Sequence, residues 1–265
     1  MNPHSTTARK AAATAALLAA AGLALAGCKS STSASGGSGG SSGGPSSSSS
    51  SGSSSGSSGG SSGSTTADSF FPAQVGNTWV YEDKVSGTTA TVTNKIIKVT
   101  PVSGGQRIVM ATTDTAITGS ARHGKVSYIF HPDGSISVPI AQFGEGSVKV
   151  LNGAMVWPSA AGLASGQENH STVRVEATIE GRTLKTTEHI TVRGGGTHSV
   201  TVPAGHYNAQ LIITSEKGKY DGFSINTVFE TWVAPGVGPI KSELLSKGIG
   251  SAADTREVLK SFTKG

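Results

Sequence analysis

The sequence predicts an all-β fold: a single antiparallel curved sheet, arranged as a half-barrel or a sandwich, of about ten to twelve strands. Three observations carry this expectation. From residue 78 to residue 262 the chain is a succession of short runs rich in Val, Ile and Thr, the side chains that fit a pleated surface. Clusters of Gly, Pro, Asp and Asn separate these runs at the spacing of sandwiches and barrels. No stretch keeps a convincing 3.6-residue apolar period.

The elements follow in order. Gly76-Asn77 is a turn pair, since both residues tolerate positive φ, and "TWVYEDK" (78–84) then alternates Trp79 and Tyr81 with polar neighbours. "TTATVTNKIIKVT" (88–100) is dominated by β-branched residues, and "QRIVMATT" (106–113) starts after a Gly-Gly turn. "KVSYIFHPDGSISVPI" (125–140) reads as a hairpin about Pro-Asp-Gly, with Ile136 and Val138 alternating with serines. The stretch "SAAGLASGQEN" admits one helical turn or a long loop. Residues 171–193 give two strands about Glu-Gly-Arg, "RGGGTHS" (193–199) reads as a Gly-rich loop between strands, and residues 197–218 give two more segments broken at Pro-Ala-Gly. Residues 224–246 break at Pro235–Pro239, a tight reversal in which prolines cannot donate to a ladder, and "TREVLKSF" (255–262) is the last strand. Trp79 and Trp232, each within an alternating run, are expected to face the interior.

The N-terminal quarter has a different composition. "MNPHSTTARK" ends in Arg9 and Lys10 without an acid, and an uncharged, Ala-rich apolar run follows. A basic segment followed by a short apolar one is the pattern of an export signal. The run is marginal as a permanent span, which needs about 20 apolar residues. Leu25-Ala26-Gly27-Cys28 resembles the bacterial lipobox. The resemblance implies diacylglycerol on the Cys28 thiol, cleavage after Gly27 and further acylation, palmitate included, at the new amine. A two-chain anchor at one residue meets the need for two membrane signals. It also consumes the one cysteine of the chain, so no internal disulfide is available. Residues 29–68 are almost pure Ser and Gly and cannot bury apolar surface. As a random coil, about forty such residues have a mean reach of roughly 35 Å. The expected organisation is a lipoprotein signal peptide at 1–27, a lipidated cysteine and disordered linker at 28–68, and an all-β extracytoplasmic domain at 69–265, held at the bacterial cell membrane.

A second resemblance rests on "FFPAQVGNTWVYED" (70–83), "VPAGHYNAQLI" (202–212) and "TWVAPGVGPIKSE" (231–243). Together they resemble a family of secreted bacterial lipoprotein domains, some labelled TapB-like. The resemblance implies a curved antiparallel sheet, related to lipoprotein-carrier half-barrels, with no assigned catalytic residue. Val233 departs from it, standing where an aromatic is common.

Functional residues are sparse. Removing Arg9 and Lys10 leaves 19 basic residues (21 less two) against 16 acidic ones, scattered without the basic stripe and stacking aromatics that nucleic acid requires. No H-E-x-x-H and no free cysteine points to a metal, although His189, His198 and His206 fall on successive segments and could meet across a sheet. No G-x-S-x-G elbow marks a hydrolase nucleophile. No catalytic, cofactor-binding or metal residue is assigned, and Cys28 is the one site residue. The expected function is a membrane-tethered, non-catalytic binding or structural domain, whose partners are the lipid membrane and a cell-wall component or apolar small molecule. The alternatives are a carrier of lipid or another apolar ligand, which needs an open apolar cavity, and an envelope hydrolase, which needs a histidine within reach of a serine and a carboxylate.

Overall fold

The β-branched runs pair into one sheet. The computed structural model describes residues 70–85, 88–115, 121–138, 146–179, 182–220, 223–246 and 255–265; Cys28, the signal segment 1–27 and the linker 28–68 lie outside the described residues. The strands are β1 (Thr78–Val85), β2 (Thr88–Val102), β3 (Gly105–Thr115), β4 (Ala121–Phe130), β5 (Ile136–Val138), β6 (Gly146–Asn152), β7 (Met155–Trp157), β8 (Glu168–Ile179), β9 (Arg182–Val202), β10 (Gly205–Tyr220), β11 (Phe223–Ala234), β12 (Gly238–Ser246) and β13 (Thr255–Thr263). A five-residue helix, α1 (Ala160–Ala164), precedes β8, capped by the Ser159 hydroxyl, which accepts the Gly162 N–H at 3.1 Å. The 13 strands exceed the expected ten to twelve because β6 and β7 lie within residues 146–157, where no strand is expected from the sequence. All lie in a single sheet, which removes the sandwich alternative.

The order is β6-β8-β9-β10-β11-β12-β13-β1-β2-β3-β4-β5-β7. Every pairing is antiparallel, and β13 joins the two halves by pairing with both β12 and β1. The two edge strands, β6 and β7, are consecutive in the chain and separated by only Gly153 and Ala154. A sheet whose opposite edges are linked by two residues must curl back on itself. At the resulting seam the Asn169 side-chain amide donates to the Val156 carbonyl at 3.3 Å, tying β7 to β8. Gly153 has φ +88°, and a Cβ there would run into the Thr172 carbonyl of β8. Only glycine suits that position.

The curl gives the sheet a concave face and two poles. One pole carries the turns after β2, β4, β9 and β11, together with Phe70 and Gly265. Phe71 seals this end, with ring centroids 5.0 Å from Trp79 and 5.7 Å from Phe130. Trp79 stacks on Phe262 at 5.1 Å, and its indole N–H donates to the Val237 carbonyl at 2.6 Å. The expected turn at Pro235–Pro239 is present and is held by Trp79 and by the Tyr81 hydroxyl, which donates to the Pro239 carbonyl at 3.0 Å. Asn77 is more than a turn former. It is buried, its amide donates to the Pro72 carbonyl at 2.8 Å, and its side-chain oxygen accepts the Gly265 N–H at 2.9 Å.

One expectation needs correction. "RGGGTHS" is no loop between strands but lies inside β9, a single strand from 182 to 202. Its glycines serve close approach: a Cβ at Gly194 would meet the Leu163 carbonyl of α1, and one at Gly195 the Leu211 side chain, at the bulge between Gln210 and Ile212 of β10. Trp232 is buried in the same hydrophobic cluster as Trp79, as expected. It packs under the Lys241 ammonium, 4.1 Å from the ring centroid.

Candidate functional site

Alternation along each strand decides what lines the concave face. Near the pole of Phe71 the inward positions are apolar: Trp79, Ile96, Ile108 and Phe130. Further along the same strands the inward positions turn polar. β1 continues Trp79, Tyr81, Asp83; β3 continues Met110, Thr112, Asp114; β13 contributes Glu257 beside Leu259, and β2 contributes Asn94 between Val92 and Ile96. Asp83 and Glu257 are register partners, so their carboxyl groups are cross-strand neighbours. Asp83, Asp114 and Glu257 are only 6%, 7% and 3% exposed.

Burial makes each of these charges expensive. It pushes the Asp83 carboxyl up to about 6, helped by the negative charge of Asp114. Burial, then the charge of Asp83, raises Glu257 well above the ordinary carboxylate range. Tyr81 and Tyr128 are raised chiefly by burial and then by Glu257. Tyr128 lies on β4, four places from β13 in the sheet, so Glu257 acts on it across the concavity. Among the described residues, Asp83 Oδ1, Glu257 Oε2, Thr112 Oγ1, Ser242 Oγ and both amide atoms of Asn94 are buried without a hydrogen-bond partner. On the other half of the sheet Glu188 and Glu216 are buried and hydrogen-bonded to each other, and Glu216 is raised first by burial and then by Glu188. Two carboxyl groups that share a hydrogen bond must share a proton. The concave face is thus a row of buried acids, amides and hydroxyls that favours protonated carboxyls.

The histidines lie elsewhere. His189 and His198 are nine positions apart on one strand, and both are exposed. His198 Nε2 contacts the Gly195 carbonyl at 2.9 Å. His206 sits between the Ser199 and Thr201 hydroxyls, each at 2.8 Å. The three do not converge, and among the described residues no group of three or more His, Cys, Asp or Glu side chains could hold a metal. A serine–histidine pair does form at the hairpin after β4. His131 Nδ1 lies 2.9 Å from the Gly104 carbonyl, which can only accept, so Nδ1 carries the proton and Nε2 accepts from the Ser137 hydroxyl at 2.8 Å. The carboxylate nearby, Asp133, takes the Ser135 N–H and O–H at 2.8 and 2.7 Å instead. His131 is oriented by a carbonyl and straps two turns together. The sequence reading treated His131-Pro132-Asp133 as turn material, and this geometry agrees. It missed the interior acids, whose signal was the phase they share with Trp79 and Met110.

A curled single sheet with a sealed, acid-lined concave face defines the class of protein. The chain belongs to the DUF3108-like family, whose profile matches residues 77–249. Two crystal structures are similar in fold. One is a candidate exported protein with a YmcC-like fold from Bacteroides fragilis, 17% identical with a TM-score of 0.51. The other is a candidate lipoprotein from Parabacteroides distasonis, also 17% identical, with a TM-score of 0.55. Each alignment covers 74% of this chain and 99% of the other. No curated protein matches the chain.

Proposed function

We propose that this chain is a bacterial envelope lipoprotein, anchored through acylated Cys28 on the extracytoplasmic face of the membrane, whose β-domain is a non-catalytic binding module. The basic and apolar N-terminal segments, the Leu25-Ala26-Gly27-Cys28 motif and the Ser/Gly linker support the anchoring. The descriptions of the two structural neighbours, one as exported and one as a lipoprotein, point the same way. The TapB-like resemblance belongs with this reading and adds no catalytic residue to it.

The observation that carries the choice of a binding module over a lipid carrier is the filling of the concave face. Phe71, Trp79, Tyr128 and Phe130 occupy one end, and buried acids share the rest with apolar side chains such as Val173, Val175 and Ile212. An acyl chain lying there would meet Asp83, Glu257 and Asn94, whose polar atoms it cannot satisfy. A catalytic role has little support, because His131 is aligned by a carbonyl and Asp133 is engaged by Ser135. The test is intact-mass analysis and lipid extraction of protein from the host membrane. A mature N-terminus at Cys28 carrying acyl mass, with no lipid held non-covalently, is the expected result. An unmodified N-terminus elsewhere overturns the anchor, and co-purifying lipid in equimolar amount overturns the filled interior.

A further inference from the structure

On the five neighbouring strands β13, β1, β2, β3 and β4, acids and bases part company. Asp83, Asp114 and Glu257 turn inward, whereas Lys95, Lys98, Arg107, Lys125 and Lys260 are exposed on the outer face. In the ladder Lys95 and Lys125 flank Ala111, Lys98 faces Val109, and Arg107 lies between Thr100 and Ile129. Glu82 shares this face and is held by Lys84 at 3.3 Å, and Asp133 in the hairpin after β4 is engaged by Ser135. The connecting residues 86–87 and 116–120 include no acid. At a strand spacing of about 4.8 Å, the five cations spread over a face roughly 20 Å wide. Two bulges shape it. The register with β3 shifts between Ile96 and Lys98, so Ile97 and Lys98 project on the same side; the register with β13 shifts between Val80 and Tyr81, so Lys260 and Ser261 do likewise. The first bulge leaves Ile97 39% exposed. Beside it Val75 is 52% exposed, placed there by the Gly76 N–H, which donates to the Ile96 carbonyl at 2.9 Å.

We propose that this face docks on the surface of a bilayer that contains anionic phospholipid. With 19 basic and 16 acidic residues left after Arg9 and Lys10, the attraction comes from the segregation of charge and not from its total. Lys and Arg are drawn to the negative surface of such a leaflet. Their long stems let the charge stay at the headgroups while the apolar part of each side chain lies along the surface. The cations alone suit any polyanion, and Val75 and Ile97 decide between a bilayer and a soluble one. A hydrated polymer offers exposed apolar side chains no partner, whereas the boundary between headgroups and acyl chains buries them. Docking of this kind needs no acyl chain. A tether with a reach of about 35 Å only raises the local concentration of the bilayer, whichever way the domain turns.

The test measures co-sedimentation of residues 28–265 carrying Cys28→Ser, which cannot be acylated, with vesicles of phosphatidylcholine alone and of phosphatidylcholine mixed with phosphatidylglycerol. The expected result is binding to the anionic vesicles only. K95Q/K98Q should lose roughly tenfold in affinity, and I97S should also bind more weakly. K217Q/K219Q, exposed lysines on β10, should bind like the parent, and melting temperatures should be unchanged throughout. No binding to either vesicle, equal binding to both, or equal losses in the two double variants overturns the docking face. An I97S variant that binds like the parent overturns the bilayer as its occupant in favour of a soluble polyanion.

Discussion

The buried acids predict an inverted pH dependence of stability, and Asp83→Asn isolates it. Asp83 is held at about 6 in the folded domain against 3.8 in an open chain. The folded state therefore binds this proton more tightly than the unfolded state. Its contribution is full below the unfolded value and is lost as pH rises through the folded one. At about 1.4 kcal/mol per pH unit the difference amounts to about 3 kcal/mol, a large part of an ordinary stability of about 5–15 kcal/mol. The groups facing Asp83 are Glu257 on β13, Tyr81 on its own strand and Asp114 on β3. Glu257 is shifted in the same direction and steepens the effect. Urea unfolding, followed by tryptophan fluorescence at pH 4 to 8, measures it. The parent should be most stable near pH 4 and weaken toward pH 8. Asp83→Asn, neutral and close in shape, should match the parent within about 1 kcal/mol at pH 4 and exceed it by about 3 kcal/mol at pH 8. A parent that gains stability between pH 4 and 7, or a variant destabilised equally at every pH, would refute the reasoning.

Three further outcomes are expected. Trp79→Ala should cost about 3–5 kcal/mol, because the ring is fully buried and its N–H holds Val237; a melting temperature equal to the parent's would remove Trp79 from the core. Gly153→Ala should cost roughly 2 kcal/mol or more through positive φ and collision with Thr172, and hydrogen exchange should show the loss first in β7 and the start of β8. Shortening residues 35–62 should leave the melting temperature of the domain unchanged, since a Ser/Gly chain adds no core contacts; calorimetry showing a drop of several degrees would mean that the linker packs on the sheet.

Much of the sheet was legible because its strands are long and strongly β-branched: β2, β9 and β10 each extend well beyond a single run, and their turns carry Gly, Pro or both. What the sequence hid was long-range. A three-residue strand such as Met155–Trp157 has no periodicity to read, and β7 is defined by its partner β5 alone. Gly194–Gly196 looks like a loop because glycine is common in loops, and only the crossing of α1 and the β10 bulge explains it as strand. Asp83 and Glu257 were not singled out. Charged strand residues default to solvent, yet Asp83 shares the phase of Trp79 and Tyr81, and that phase governs once the sheet curls. Lys185, Lys217 and Lys219 looked scattered because β9 and β10 must pair before they become neighbours.

The seam between β6 and β7 bears on how such domains behave when crowded. A sheet edge presents unpaired N–H and C=O groups that recruit strands from other molecules. Here both edges belong to adjacent stretches of chain, meeting around Gly153, and β7 is only three residues long. While the seam is shut, little edge is on offer to a neighbour. Loosening it would free β6, whose Val150 and Leu151 are already exposed, and make it a template for strand exchange. Where copies of the domain meet often, a single glycine thus guards it against self-association.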